Sequence, residues 1–134
     1  MERSEFRILV LDDERDWRRA NERTLTRAGF SVQVASTGEE ALDFLGAESF
    51  HMAVLDINLP DCDGSELVAK VKAVSPGTAV IMLTGFATIE KAGVAAAGGS
   101  TDILEKIADD PDEKSLAEEL VERAEEIFER AAGA

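Results

Sequence analysis

Five apolar runs punctuate the chain at near-even spacing: FRILVLD (6–12), SVQVAS (31–36), MAVLDI (52–57), AVIMLT (79–84) and DILEK (102–106). The first, third and fourth are apolar almost without a break, as expected of parallel strands covered on both faces. Between the runs the apolar positions recur at a helical period. After the first run, Trp17, Ala20, Thr24, Leu25 and Ala28 share a face, and Gly29 marks the stop. The second helical segment opens TGEEAL, with Thr37 and Glu40 spaced for a capping box. The third runs from about Ser65 to Val74 and is closed by Ser75 and Pro76. The fourth, TIEKAGVAAAGG, carries Gly93 inside and Gly98 and Gly99 at its end. An interior Gly costs about 1 kcal/mol relative to Ala, so this helix is predicted to be the weakest. The last, over about 111–131, has Asp110 as cap, Pro111 at its first position, and Leu116, Leu120, Ala124, Ile127 and Phe128 on one face.

Alternating β and α segments predict an α/β fold with right-handed crossovers and helices on both faces of a parallel sheet. At this length the expected form is flavodoxin-like: a doubly wound (βα)5 unit, five-stranded, of order 2-1-3-4-5. The 134 residues suffice for one core, so a single domain is expected over 1–134, with its core at about 6–128. Such folds bind ligands beyond the carboxyl ends of the strands, near the reversal between strands one and three.

Composition narrows the function. Hydrophobic residues at 45% and charged residues at 31% are ordinary for a soluble domain. No apolar run approaches the roughly 20 residues that span a bilayer, and MERSEFRILVLDDE does not resemble a secretory signal. Cys62 is alone, which excludes a disulfide framework and makes a reducing cytoplasm the expected location. The net charge of -14 works against direct contact with nucleic acid or anionic lipid. It suits a metal ion or a cationic partner surface.

The strand ends carry the chemistry. Strand one ends LDDE, setting Asp12 and Asp13 beside Asp56, which ends strand three; strand four ends in Thr84 and strand five in Lys106. Carboxylates this close repel by about 4 kcal/mol per pair at 4 Å and an effective dielectric near 20. Lys106 can compensate one of them; the others call for protonation or a cation, and an all-oxygen ligand set favours Mg²⁺, Ca²⁺ or Mn²⁺ over zinc. A carboxylate beside a hard dication, with an ammonium and a hydroxyl aimed at one spot, is equipped for phosphoryl transfer, with Asp56 as nucleophile. Each group alone has a plainer explanation: a helix-capping Asp, a turn Thr, a solvated Lys. Their convergence from four strand ends favours the functional one.

With these residues in place, the sequence resembles the response-regulator receiver domains of two-component signal transduction. ILVLDDE is similar to the family's acidic pair, VLDINLPDCDG to its phosphoacceptor segment, IMLTG to its hydroxyl strand and ILEK to its lysine strand. The likeness runs from about Phe6 to Phe128. It implies that Asp56 takes a phosphoryl group from a sensor histidine kinase or a histidine phosphotransfer protein. It implies further that Asp13, Asp56 and the carbonyl of Asn58 ligate Mg²⁺ directly, with Asp12 acting through water, and that Thr84 and Lys106 contact the phosphoryl oxygens. Such a protein is a stoichiometric phosphoacceptor with slow autodephosphorylation, not an enzyme acting on an outside substrate. It signals to a downstream protein partner or an attached output domain.

Three positions depart from the family pattern. Ile103 stands where an aromatic ring is common, Ile107 where proline usually follows the lysine, and Asn21 where the first helix favours an apolar residue. A cis bond before Ile107 would cost about 3 kcal/mol, so a trans loop is expected there. Asn21 is either a partly solvated polar group or a weak point of its helix. Ile103 and the Gly-rich fourth helix suggest an output face that switches by order and disorder, and Phe86 suggests a ring that slows attack by water on a phosphorylated Asp56. His51 is expected at a strand edge without chemistry, Cys62 as a plain loop thiol, and Trp17 as packing between the first helix and the sheet. Asp16, Arg18 and Arg19, exposed on that helix, are candidate phosphodonor contacts. Two rivals remain: a receiver-like interaction module that is never phosphorylated, and a haloacid-dehalogenase-like phosphatase using Asp12. The carboxyl-terminal AEEIFERAAGA is helical almost to its end and fits a stand-alone protein as well as a receiver cut from a longer one.

Overall fold

In the computed structural model the described residues are 1–56, 64–84, 102–105 and 116–133. The chain opens with a 3-10 turn, Arg3–Glu5. There follow β1 (Arg7–Leu11), α1 (Arg15–Arg27), β2 (Ser31–Ala35), α2 (Gly38–Ala47), β3 (Met52–Asp56), α3 (Gly64–Val74), β4 (Ala79–Thr84), β5 (Asp102–Glu105) and α4 (Leu116–Gly133). Here α4 is the last of the helices expected from sequence; the Gly-rich segment, the start expected for that helix at Asp110 and Pro111, Phe86 and Ile107 lie outside the described residues. The five strands form one parallel sheet of order β2-β1-β3-β4-β5, the predicted doubly wound arrangement.

The unbroken apolar runs resolve into two faces because neighbouring side chains on a strand point oppositely. Leu9, Leu11, Ala53, Leu55, Val80 and Met82 face Ala41 and Leu45 of α2 and Leu67, Val68 and Val71 of α3. Ile8, Val10, Met52, Val54, Ile81 and Leu83 face Leu25 of α1 and Leu116, Leu120 and Ala124 of α4. Trp17, Ile127 and Phe128 pack half-buried on this second cluster, as expected from sequence.

Local signals behave largely as predicted. The Thr37 hydroxyl accepts from the Glu40 N–H at 3.1 Å and caps α2. The reciprocal bond shifts one residue outward, with the Glu40 carboxylate accepting from Ser36 N–H at 3.2 Å. Gly29 ends α1 at φ 103°, a left-handed conformation that suits glycine. The stripe on α1 needs correction: Ala20 is exposed, and Asn21 lies on the buried line with Leu25. An apolar-only reading drew the stripe toward Ala20, whereas the helical period through Trp17 and Leu25 runs through Asn21. Asn21 is therefore not partly solvated. It is 3% exposed, and among the described residues its amide nitrogen has no hydrogen-bond partner.

Candidate functional site

The register of the sheet builds the site. Leu11 pairs with Leu55, so the next residues, Asp12 and Asp56, emerge side by side from the carboxyl ends of neighbouring strands. Asp56 is also opposite Leu83, one residue before Thr84 at the end of β4. One ligand oxygen from each of Asp12, Asp13 and Asp56 can be chosen so that all lie within 4.8 Å of one another. Asp12 and Asp56 are buried, at 0% and 3% exposure, whereas Asp13 is open to solvent. Two enclosed carboxylates and an exposed one thus form one acidic cluster at the carboxyl edge of the sheet.

The turn from β1 into α1 is held from several sides. Asp12 N–H donates to the Ala35 carbonyl at 3.2 Å, extending the ladder with β2. Asp12 Oδ1 accepts from Glu14 N–H at 3.0 Å, a local turn that leads into α1. From the first turn of α1, Arg18 donates a guanidinium N–H to the Asp12 carbonyl at 2.9 Å. The sequence suggested Arg18 only as a partner contact; its structural part is to fix the backbone that carries the acidic pair. A long cationic side chain one helical turn past an acidic loop is the signal that could have found it.

The other expected site residues divide. Thr84 closes β4 and is opposite Glu105, the last described residue of β5. Asn58, Cys62 and Lys106 lie outside the described residues. His51 has more structure around it than its sequence suggested. Its Nδ1 accepts from Arg7 N–H at 3.0 Å and its ring stacks on Phe6 at 5.0 Å, tying β1 to the entry of β3. This lies at the amino ends of the strands, away from the acids.

The donor set of the pocket is all oxygen and anionic, which fits a hard divalent cation. Mg²⁺ typically takes one or two protein carboxylates and keeps several waters.

A parallel (βα) sheet with an acidic pocket across its first and third strand ends defines a narrow class of signalling domain. The match to the response regulator receiver domain spans residues 8–118, and the chain belongs to that family. It is 35% identical over 99 residues to the C4-dicarboxylate transport transcriptional regulatory protein DctD of Rhizobium meliloti, covering 74% of this chain and 22% of that protein. It is 32% identical over 100 residues to the response regulator MprA of Mycolicibacterium vanbaalenii, covering 75% and 43%. The chain thus spans less than half the length of these relatives. Among solved structures, a CheY-like receiver domain protein from Methanospirillum hungatei superposes with a TM-score of 0.78 at 31% identity, covering 93% of this chain and 98% of that one. A response regulator from Burkholderia pseudomallei, solved with a phosphorylated aspartic acid, calcium ion and citrate, gives 0.72 at 31% identity, covering 92% and 74%. No helix of the described residues is long and apolar enough to cross a membrane.

Proposed function

We propose that this chain is one receiver domain, over residues 1–134, that accepts a phosphoryl group on Asp56 from a phosphohistidine of a sensor kinase or phosphotransfer protein. The convergence of the Asp12, Asp13 and Asp56 oxygens within 4.8 Å carries the proposal. The phosphorylated aspartic acid and calcium ion named for the Burkholderia relative support it. Mg²⁺ held by Asp13, Asp56 and the Asn58 carbonyl, with Asp12 through water, would offset charge on the phosphoryl oxygens.

The chain's own groups do the rest. An Asp56 carboxylate oxygen attacks phosphorus as the P–N bond to the donor imidazole breaks, and the electron pair stays on the imidazole nitrogen. Thr84 donates a hydrogen bond to one phosphoryl oxygen and Lys106 neutralises another. Burial of Asp56 limits access of water to the acyl phosphate, so the product persists as a signal to a protein partner or output domain. The reaction is stoichiometric and takes place in the cytoplasm, without direct contact to nucleic acid by this domain.

Incubation with acetyl phosphate and Mg²⁺, followed by intact mass and peptide mapping, tests the proposal. One phosphoryl group on Asp56, absent in Asp56→Asn, is expected. Label on Asp12 would instead favour the phosphatase reading, and no label with a correctly folded protein would favour an interaction module.

A further inference from the structure

The outer edge of β2 has no strand beside it among the described residues. Ser31 N–H donates to the Phe6 carbonyl at 3.1 Å, and the Ala35 carbonyl accepts from Asp12 N–H at 3.2 Å. Along a parallel strand, alternate residues turn their backbone groups to opposite sides. Ser31, Gln33 and Ala35 therefore bond β1, while Val32 and Val34 direct N–H and C=O to the open edge. Proteins usually blunt such an edge with Lys, Pro or a bulge. The β2 segment SVQVA has no Lys and no Pro. Its guard is the Gln33 amide, whose Nε2 donates to the Val34 carbonyl at 3.2 Å. Among the described residues, the N–H and C=O of Val32 and the N–H of Val34 are left open to a partner.

Beside that edge the charge of the molecule changes sign. Arg23, Thr26 and Arg27 of α1 line, with Phe30, Ser31 and Val32, a groove of about 640 Å³ that Glu22 also borders. Arg23 and Arg27 are exposed, and among the described residues neither side chain has an ion pair or hydrogen bond. In a chain with 28 acids and 14 lysines and arginines, two arginines against one glutamate make this wall an exception. Like charges four residues apart also oppose helix formation, so α1 gains when anions sit beside them. The spacing suits a strand. One helical turn sets the arginines about 6 Å apart, and alternate residues of a strand are about 6.8 Å apart.

We propose that the β2 edge is a docking site for an extended acidic segment of a partner protein, which joins the sheet as a further strand. The segment's backbone pairs with Val32 and with Val34 N–H, and acids at its alternate positions meet Arg23 and Arg27. Backbone bonds supply the affinity, and the arginines select the sequence. A second copy of the chain is a poorer occupant. Pairing two β2 edges about a two-fold perpendicular to the sheet brings both arginine pairs together on one face, where they repel. The net charge of -14 opposes an acidic segment at long range, but at physiological salt the Debye length is only about 8 Å. The inference does not depend on phosphorylation of Asp56.

Titrating the isotope-labelled whole chain with a short, capped peptide that alternates glutamate and threonine tests it, read by amide NMR shifts at physiological salt. Circular dichroism verifies folding of each variant. A Kd on the order of 100 µM is expected, with the largest shifts at Val32 and Val34. Arg23→Glu with Arg27→Glu is expected to weaken binding at least about tenfold. Lys70→Glu, on α3 across the sheet, is expected to stay within about twofold of wild type. Val32→Pro removes an edge N–H where a strand tolerates proline, and is expected to abolish binding. If that variant does not fold, peptides methylated on their backbone nitrogens test the same bonds on the wild type. Methylating all glutamates or all threonines is expected to abolish binding for one set and spare it for the other, since only one set faces β2. Equal binding of both methylated peptides would reduce the contact to charge attraction and overturn the proposal. Undiminished binding by the arginine variant, or none to the wild type up to about 5 mM peptide, would do the same. Val32 and Val34 shifts that change on dilution of the chain alone would assign the edge to a second copy and also overturn it.

Discussion

Asn21 shows how one side chain can set a helix's stability. Its amide nitrogen is buried on the side of α1 that carries Leu25, without a hydrogen-bond acceptor among the described residues. An unsatisfied buried donor costs about 1–3 kcal/mol, while a leucine of similar volume would pack against Leu25 and the apolar cluster around it. Asn21→Leu is therefore expected to raise the unfolding free energy by about 1–2 kcal/mol, read as a higher urea midpoint at unchanged m-value. A fall in the midpoint would mean that the amide is satisfied. This position was only half legible in sequence. The helical period points inward at residue 21, but polarity points outward, and which of the two wins depends on how closely α1 lies on the sheet.

At the scale of elements, the chain termini are joined by one arginine. Arg3 donates to the Ala28 carbonyl at 2.9 Å, meets Glu125 at 2.7 Å, and stands over the Phe30 and Phe128 rings at 5.2 and 5.7 Å. The 3-10 turn, the end of α1, the start of β2 and the middle of α4 are thereby linked. The ion pair is more than a third exposed, so the ring contacts and the carbonyl bond carry most of the effect. Arg3→Ala is expected to destabilise by about 1–2 kcal/mol, and Arg3→Lys to recover less than half, because the flat fork is lost. Thermal unfolding of the pair measures this; equal stability of Arg3→Lys and wild type would refute the role of the fork. The sequence gives no hint of this link, since its partners lie 25 and 122 residues away. The strands were legible to within a residue at each end, β1, β3 and β4 most plainly because burial on both faces leaves them almost only apolar side chains. Asp12 and Asp56 were legible as site residues for the converse reason: charge at the edge of a dry run has to be answered by something.

For the whole molecule, the balance of charge decides which ions stabilise it. A net charge of -14 makes the folded state repel itself, and the Asp12, Asp13 and Asp56 cluster concentrates that repulsion at one place. Screening and site binding act differently on these two parts. Sodium chloride screens the distributed charge, and raising it from about 20 mM to about 300 mM shortens the Debye length from roughly 20 Å to roughly 6 Å. The melting temperature is expected to rise by about 2–5 °C, since acids far outnumber bases in the chain. Magnesium chloride at equal ionic strength screens comparably and, if it fills the acidic pocket, adds a binding term that grows with the logarithm of its concentration. A further rise over sodium chloride is therefore expected in the wild type and should vanish in Asp56→Asn, which removes a ligand without emptying the pocket of its hydrogen bonds. Equal excess stabilisation in both proteins would place the ion elsewhere on the acidic surface, along the glutamates of α4. No excess at all would leave two enclosed carboxylates and one exposed one without the cation their chemistry invites.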